Sequence, residues 1–270
     1  MGYSFSLLRI GDTGISGNLY TSGKERSTVV VWGVGAPRPP DYGNLVEAES
    51  ILGYETDLFV PDYLGYARSD GRFTPMNCIR TFLRIYDSFT SGCIGRSGYS
   101  GERVKIRYGR LIFAGKSLGG SYVPLLPRFN KRISELGLFA PALDNKSSGS
   151  IAGEETNADF FDSMRYDGYH HIYRGILSKR WEEHLENKDG LSPMDNIAHL
   201  GEARIFLAHG RSDRCIHFSK SVSFYESLQR VFPDSTKRAR LFLYPGDHGP
   251  STTIPAIKDF MKWFGIKKRS

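Results

Sequence analysis

The chain opens on a period-two alternation, YSFSLLRIGDTGISGNLYTSG, broken by turn signals at Gly11-Asp12 and Ser22-Gly23. Alternation puts every second side chain on one face of a sheet, so this segment predicts antiparallel strands. STVVVWG differs: it is a continuous β-branched run closed by a glycine, as in a strand buried on both faces. Helical spacing follows in DYGNLVEAESILG, then a strand in TDLFVPD, then a helix in NCIRTFLRIYDSF. In that last helix Ile79, Phe82, Leu83, Tyr86 and Phe89 share a face. SGCIGRSGYSGERV carries no core pattern and reads as a Gly/Ser-rich connector. Beyond it, RLIFA is a buried strand leading into GKSLGGS, with a helix from about Ser121 and a strand in ELGLFAPA. Two further strands, ARIFLAHG and RARLFLYPG, are followed by the helices FSKSVSFYESLQRV and IPAIKDFMKWFG. Strands alternating with helices predict an α/β fold: a mostly parallel central sheet with helices on both faces.

One stretch departs from this rhythm. Residues 145–196 lack a clear strand and are rich in tyrosine and histidine, as in DFFDSMRYDGYHHIYRGILSKRWEEHL. They predict a helical cap or lid inserted over the carboxyl ends of the strands, where ligands bind in such sheets. With no internal repeat, residues 1–270 read as one domain carrying this insertion.

Composition narrows the class. The chain is 40% hydrophobic, and no apolar run is long enough to span a bilayer. No basic segment followed by an apolar stretch marks a secretory signal. Cys78, Cys93 and Cys215 have no metal spacing and cannot all pair, which predicts a reduced, cytoplasmic setting. Gly2 and Ser6 fit the loose myristoylation pattern, which many chains match by chance. The net charge of +7 comes partly from ERVKIRYGR and the tail IKKRS. Without interleaved aromatics or a nucleic-acid module, these read as a solvated loop and tail, and no nucleic-acid partner is expected.

Two chemistries compete for FAGKSLGGS. A phosphate-binding P-loop ends in Gly-Lys-Ser but needs a glycine at position 110, which is Arg110; Gly109 lies one residue too far away. The apolar RLIFA run also supplies a strand where a phosphate cradle needs a loop. Gly-x-Ser-x-Gly after a strand is instead a nucleophile elbow, whose strained serine needs small neighbours two residues away. Gly115 and Gly119 meet that need around Ser117, and Gly120 adds room for the following helix. Gly33, Gly35 and Pro37 are not a dinucleotide fingerprint, because position 38 is Arg38.

A serine hydroxyl needs a general base, and an imidazole base needs a carboxylate to fix its tautomer. His248, in LFLYPGDHGPS, follows the last strand, and Asp213, in IFLAHGRSD, follows the one before. Ser117, Asp213 and His248 therefore run nucleophile, acid, base, each on a turn after a strand. Asp62, after TDLFVP, is the alternative acid and otherwise a structural turn residue. His209 reads as a strand-end residue bonded locally, and His170 and His171 as cap surface or packing. His184, His199 and His217 have no strand-turn context, and Asp247 reads as solvent-facing.

These motifs together resemble the α/β-hydrolase superfamily over nearly the whole chain. VVVWGVGAP is similar to its strand and oxyanion loop, DYLGYARSDG to its strand-four turn, GKSLGG to its elbow, and GRSD and GDHG to its acid and histidine loops. The layout SPMDNIAHLGEARIFLAHGRSD resembles the branch of prolyl-oligopeptidase-like peptidases, serine aminopeptidases and dienelactone-hydrolase-like esterases. Two residues depart from the pattern: Lys116 replaces the commoner histidine, tyrosine or arginine, and Trp32 stands where histidine usually precedes the oxyanion glycine. The resemblance implies an oxyanion hole from the backbone N–H groups of Leu118 and Val34, with Gly35 next in line after Val34. It implies a serine hydrolase that needs no metal or organic cofactor and takes a small ester or short peptide, with carboxylic esters favoured. An exopeptidase would need a carboxylate for the substrate ammonium, and Glu154, Glu155 and Asp159 are the candidates. A non-catalytic binding protein or an acyltransferase would use the same pocket.

Overall fold

The computed structural model describes residues 3–21 and 26–269. The turn at Ser22-Gly23 and the myristoylation position Gly2 lie outside the described residues. Strands β1 (Ser4–Ile10) and β2 (Ile15–Thr21) form the antiparallel pair that the alternation predicts. The β-branched run becomes β3 (Thr28–Gly33), almost wholly buried. Helix α1 (Val46–Leu52) starts later than its sequence pattern. The reason is Asp41, whose carboxylate accepts hydrogen bonds from Asn18 Nδ2 and Tyr20 Oη and from the backbone N–H groups of Gly43 and Asn44. Those bonds turn the chain before a helix can begin.

Next come β4 (Asp57–Pro61) and α2 (Pro75–Ser91), the latter capped by the Thr74 hydroxyl with Pro75 at its first position. The supposed connector is a correction: it folds as a hairpin, β5 (Cys93–Ser97) and β6 (Arg103–Ile106), that extends the sheet beyond β1. Then follow β7 (Arg110–Lys116), α3 (Leu118–Tyr122), α4 (Leu126–Phe129) and β8 (Glu135–Phe139). Here α3 starts directly after Ser117, three residues before the sequence expectation.

Residues 145–196 contribute helices α5 (Asn157–Tyr166) and α6 (Lys179–Leu185) with single 3-10 turns, and no strand of the sheet. The chain closes with β9 (Arg204–Gly210), α7 (Ser219–Val231), β10 (Ala239–Tyr244) and α8 (Pro250–Trp263).

Strand order is β10-β9-β8-β7-β3-β4-β2-β1-β5-β6. From β10 to β4 neighbours are parallel; from β4 outward through β2, β1, β5 and β6 they are antiparallel. The parallel strands end level: Lys116 pairs with Phe139, Phe139 with Ala208, and Gly210 with Tyr244. Loops leaving β7, β9 and β10 therefore emerge at the same edge of the sheet. Helices α1 and α8 pack against each other over the sheet, and no helix among the described residues is long and apolar enough to cross a membrane.

Candidate active site

Ser117 has φ 55° and ψ −125°, a left-handed backbone that a residue with a Cβ adopts only under constraint. The constraint is visible in its neighbours. Ser117 N–H donates to the Phe139 carbonyl at 2.9 Å, anchoring the turn to β8. A Cβ on Gly115 would lie 2.5 Å from the Gly119 backbone, and one on Gly119 only 2.3 Å from the Gly33 carbonyl. Glycine at both positions is thus a steric requirement of the elbow, as its sequence suggests.

Asp213 sits in the turn after β9, buried. Its Oδ1 accepts the backbone N–H groups of Cys215 and Ile216, both at 2.9 Å. Its Oδ2 lies 2.7 Å from His248 Nδ1 and 3.1 Å from His209 Nε2. Burial by itself would push this carboxyl up; the hydrogen bonds from His209 and His248 and the charge of His248 outweigh it and hold the group well below the usual carboxylate range. A carboxylate only accepts, so Nδ1 of His248 carries a proton, and in the neutral ring Nε2 holds the lone pair. The acid and histidine loops are tied by backbone bonds as well, Arg211 N–H to the Tyr244 carbonyl and Ser212 N–H to the Gly246 carbonyl.

His209 was expected to bond locally, and it does so, through the Ser221 hydroxyl (2.7 Å) and the Ile216 carbonyl (2.8 Å). Its contact with Asp213 was not legible, because nothing in LAHG shows which way the ring points. Asp62 takes the structural role: Arg68 Nε and Nη2 donate to it at 2.6 and 3.0 Å. Asp247 is exposed and caps its own turn through Gly249 N–H and the Ser251 hydroxyl. Lys116 pairs with buried Glu47 at 3.7 Å, and Trp32 packs on Phe139 in the core.

Ser117, Leu118 and His248 line one cavity of about 260 Å³, with Ala36 and Pro37 from the loop after β3. Among the described residues the Ser117 hydroxyl makes no hydrogen bond to the His248 ring. Such bonds are often long without substrate. Val34 is buried behind this wall, its carbonyl accepting from Tyr63 Oη at 2.9 Å. Gly35 comes closer: a Cβ there would stand 2.9 Å from that of Ser117. Residues 145–196 also line the cavity, through Asn145, Asn157, Phe160 and Leu185.

Of the three candidate carboxylates for a substrate ammonium, two are spent. Glu154 forms a buried pair with Lys220 at 2.5 Å, and Asp159 closes a capping box with Thr156. Glu155 lines the cavity, accepting from the Cys215 thiol at 3.2 Å. Burial and this carboxylate push the Cys215 thiol up to about 12.

Neither a protein-family model nor a curated protein sequence matches the chain. Solved structures do. An esterase of Pyrococcus furiosus is 14% identical with a TM-score of 0.59, over 97% of this chain and 90% of its own. Est1E from Butyrivibrio proteoclasticus is 16% identical at 0.59, over 96% and 100%. An acylaminoacyl peptidase of Pyrococcus horikoshii is 15% identical at 0.59, over all of this chain but 43% of its own. The chain therefore has the α/β-hydrolase fold, as its motifs imply.

Proposed function

We propose that this protein is a serine hydrolase that cleaves carboxylic esters through an acyl-enzyme. The supporting observation is the His248–Asp213 hydrogen bond of 2.7 Å at a cavity shared with a strained Ser117. Ser117 Oγ attacks the substrate carbonyl while His248 Nε2 takes its proton, and Asp213 stabilises the imidazolium that forms. The Leu118 N–H at the start of α3 and an N–H of the loop after β3, from Val34 or Gly35, stabilise the tetrahedral oxyanion. His248 then returns the proton to the leaving alcohol. Water, activated by the same nitrogen, releases the acid. This chemistry draws on side chains and backbone alone, and residues 145–196 act as a lid that selects the acyl or leaving group. Three free thiols fit a reducing, cytoplasmic setting.

Fluorophosphonate labelling tests the reading directly: wild type labels at Ser117 and Ser117→Ala does not. The same substitution lowers kcat by about 10⁶-fold on short-chain aryl esters. Normal turnover by a folded Ser117→Ala protein overturns the assignment, whereas a folded wild type that neither labels nor turns over ester leaves a binding protein.

Glu155 favours a second reading, an exopeptidase that holds the substrate ammonium on this carboxylate, which has no ion-pair partner among the described residues. Aminoacyl anilides turned over faster than aryl esters, with the advantage lost in Glu155→Gln, would select it.

A further inference from the structure

Behind the cavity wall lies a second histidine–aspartate pair. His184 Nδ1 is 2.8 Å from Asp189 Oδ2, and the ring is 1% exposed, stacked on Tyr122 and edge-on to Trp181. Burial works against the charge of Asp189, but the hydrogen bond from His184 outweighs it and holds the carboxyl below its ordinary value. An ionised Asp189 only accepts, so Nδ1 of His184 carries a proton, and in the neutral ring Nε2 is the acceptor.

Among the described residues the polar side chain that meets Nε2 is Asn145, whose Nδ2 stands 3.4 Å away. Asn145 is 3% exposed, and what remains open faces the cavity that holds Ser117. Its backbone is held as well, the carbonyl accepting from Asn157 Nδ2 at 3.2 Å. With the amide N–H turned to His184, Oδ1 is left without a partner among the described residues, and it is not sealed from the cavity. Rotating the amide to bring Oδ1 towards His184 would set oxygen against a nitrogen lone pair. The histidine thus locks which end of the amide the substrate meets.

We infer that Asn145 Oδ1 is a substrate-binding acceptor, oriented by His184 and Asp189, and that the enzyme prefers substrates with an N–H or O–H donor beside the scissile carbonyl. The inference rests on the serine-hydrolase reading and sharpens it. A buried acceptor left unmatched is costly, so a site of this kind discriminates by the presence of the donor rather than by shape. Asn145 touches substrate; His184 and Asp189 are positioning residues.

The test compares the 4-nitrophenyl esters of N-acetylalanine and O-acetyllactic acid, which differ by N–H against O. Their kcat/KM ratio is corrected for the two esters' rates with hydroxide. In wild type the corrected ratio favours the N–H ester by about ten- to a hundredfold. In Asn145→Leu it falls to about one, and in His184→Phe it falls part of the way. A general loss of structure slows both esters alike and leaves the ratio in place. If Asn145→Leu does not fold, Asn145→Ser carries the same comparison. A corrected wild-type ratio near one, or an equal ratio in wild type and the Asn145 variant, overturns the inference. Fluorophosphonate, which brings no N–H, separates the two failures: labelling of Ser117 without donor preference removes only the subsite, whereas absence of labelling removes the hydrolase.

Discussion

Asp213 receives four donors, two from its own turn and one from each of two histidines. Replacing it with asparagine puts an NH2 group against at least one N–H and lets the His248 ring take the wrong tautomer. Asp213→Asn should lower kcat by about 10⁴-fold while Ser117 remains in place, measured by steady-state ester hydrolysis. The lowered folded pKa carries a stability signature too. Because it lies below the unfolded value of about 3.9, the ionised carboxylate stabilises the fold above that pH. That contribution drains away as the pH falls below about 4, towards the folded value. Urea midpoints measured from pH 7 down to pH 3 should fall more steeply in wild type than in Asp213→Asn. Equal slopes would show that the four bonds do not bias ionisation. At this scale the three proposed catalytic side chains were legible because each sits in a short turn signature after an apolar run. His209 and His184 were not, since ring orientation is set by contacts from distant segments.

The elbow is decided at the level of elements. It joins β7 to α3 so tightly that the backbones of Gly115, Gly119 and Gly33 touch. A methyl group on Gly119 would meet the Gly33 carbonyl at 2.3 Å and Tyr63 Oη at 2.7 Å, and backbone cannot move aside as a flexible side chain can. Gly119→Ala should cost about 1–3 kcal/mol or more and lower Tm by several degrees in a calorimetric scan. An unshifted Tm would mean that the turn relaxes freely. Gly-x-Ser-x-Gly was readable because steric need leaves a residue-level trace. The β5–β6 hairpin leaves none. It lies at the edge of the sheet with most of its side chains at least partly in water, and only Gly95 and Ile106 are buried. Without a buried face there is no hydrophobic alternation to find. What makes it a strand pair is the open edge of β1, which needs partners for its N–H and C=O groups.

Across the whole molecule, residues 145–196 are fastened at the Glu154–Lys220 pair. Both side chains are nearly solvent-free, and Glu154 also accepts from His217 N–H and Gly149 N–H. Glu154→Gln would strand a buried ammonium, at a cost of about 3–5 kcal/mol, whereas removing both charges in Glu154→Gln/Lys220→Met should recover most of it. Urea midpoints of the single and double variants test this; a double variant no better than the single would mean the pair is not coupled. The pair lies next to the cavity-lining residues Glu155, Thr156 and Asn157, so the single variant should also raise KM for aryl esters.

Apart from the β5–β6 hairpin, the order of strands and helices, the elbow and the turns that carry the three proposed catalytic residues are legible in the chain itself. Periodicity, glycine placement and strand ends are local properties, and each is written within a dozen residues. Tertiary structure alone decided how each acid is used: Glu155 lines the cavity and accepts from the Cys215 thiol, while Glu154 and Asp62 are held in ion pairs and Asp159 in a helix cap. It alone set Asn145, Asn157 and Phe160 in one cavity with Ser117 and aligned two buried histidines on aspartates. Those arrangements depend on side-chain direction and burial between segments far apart in the chain, and neither quantity is encoded in the spacing of residues along it.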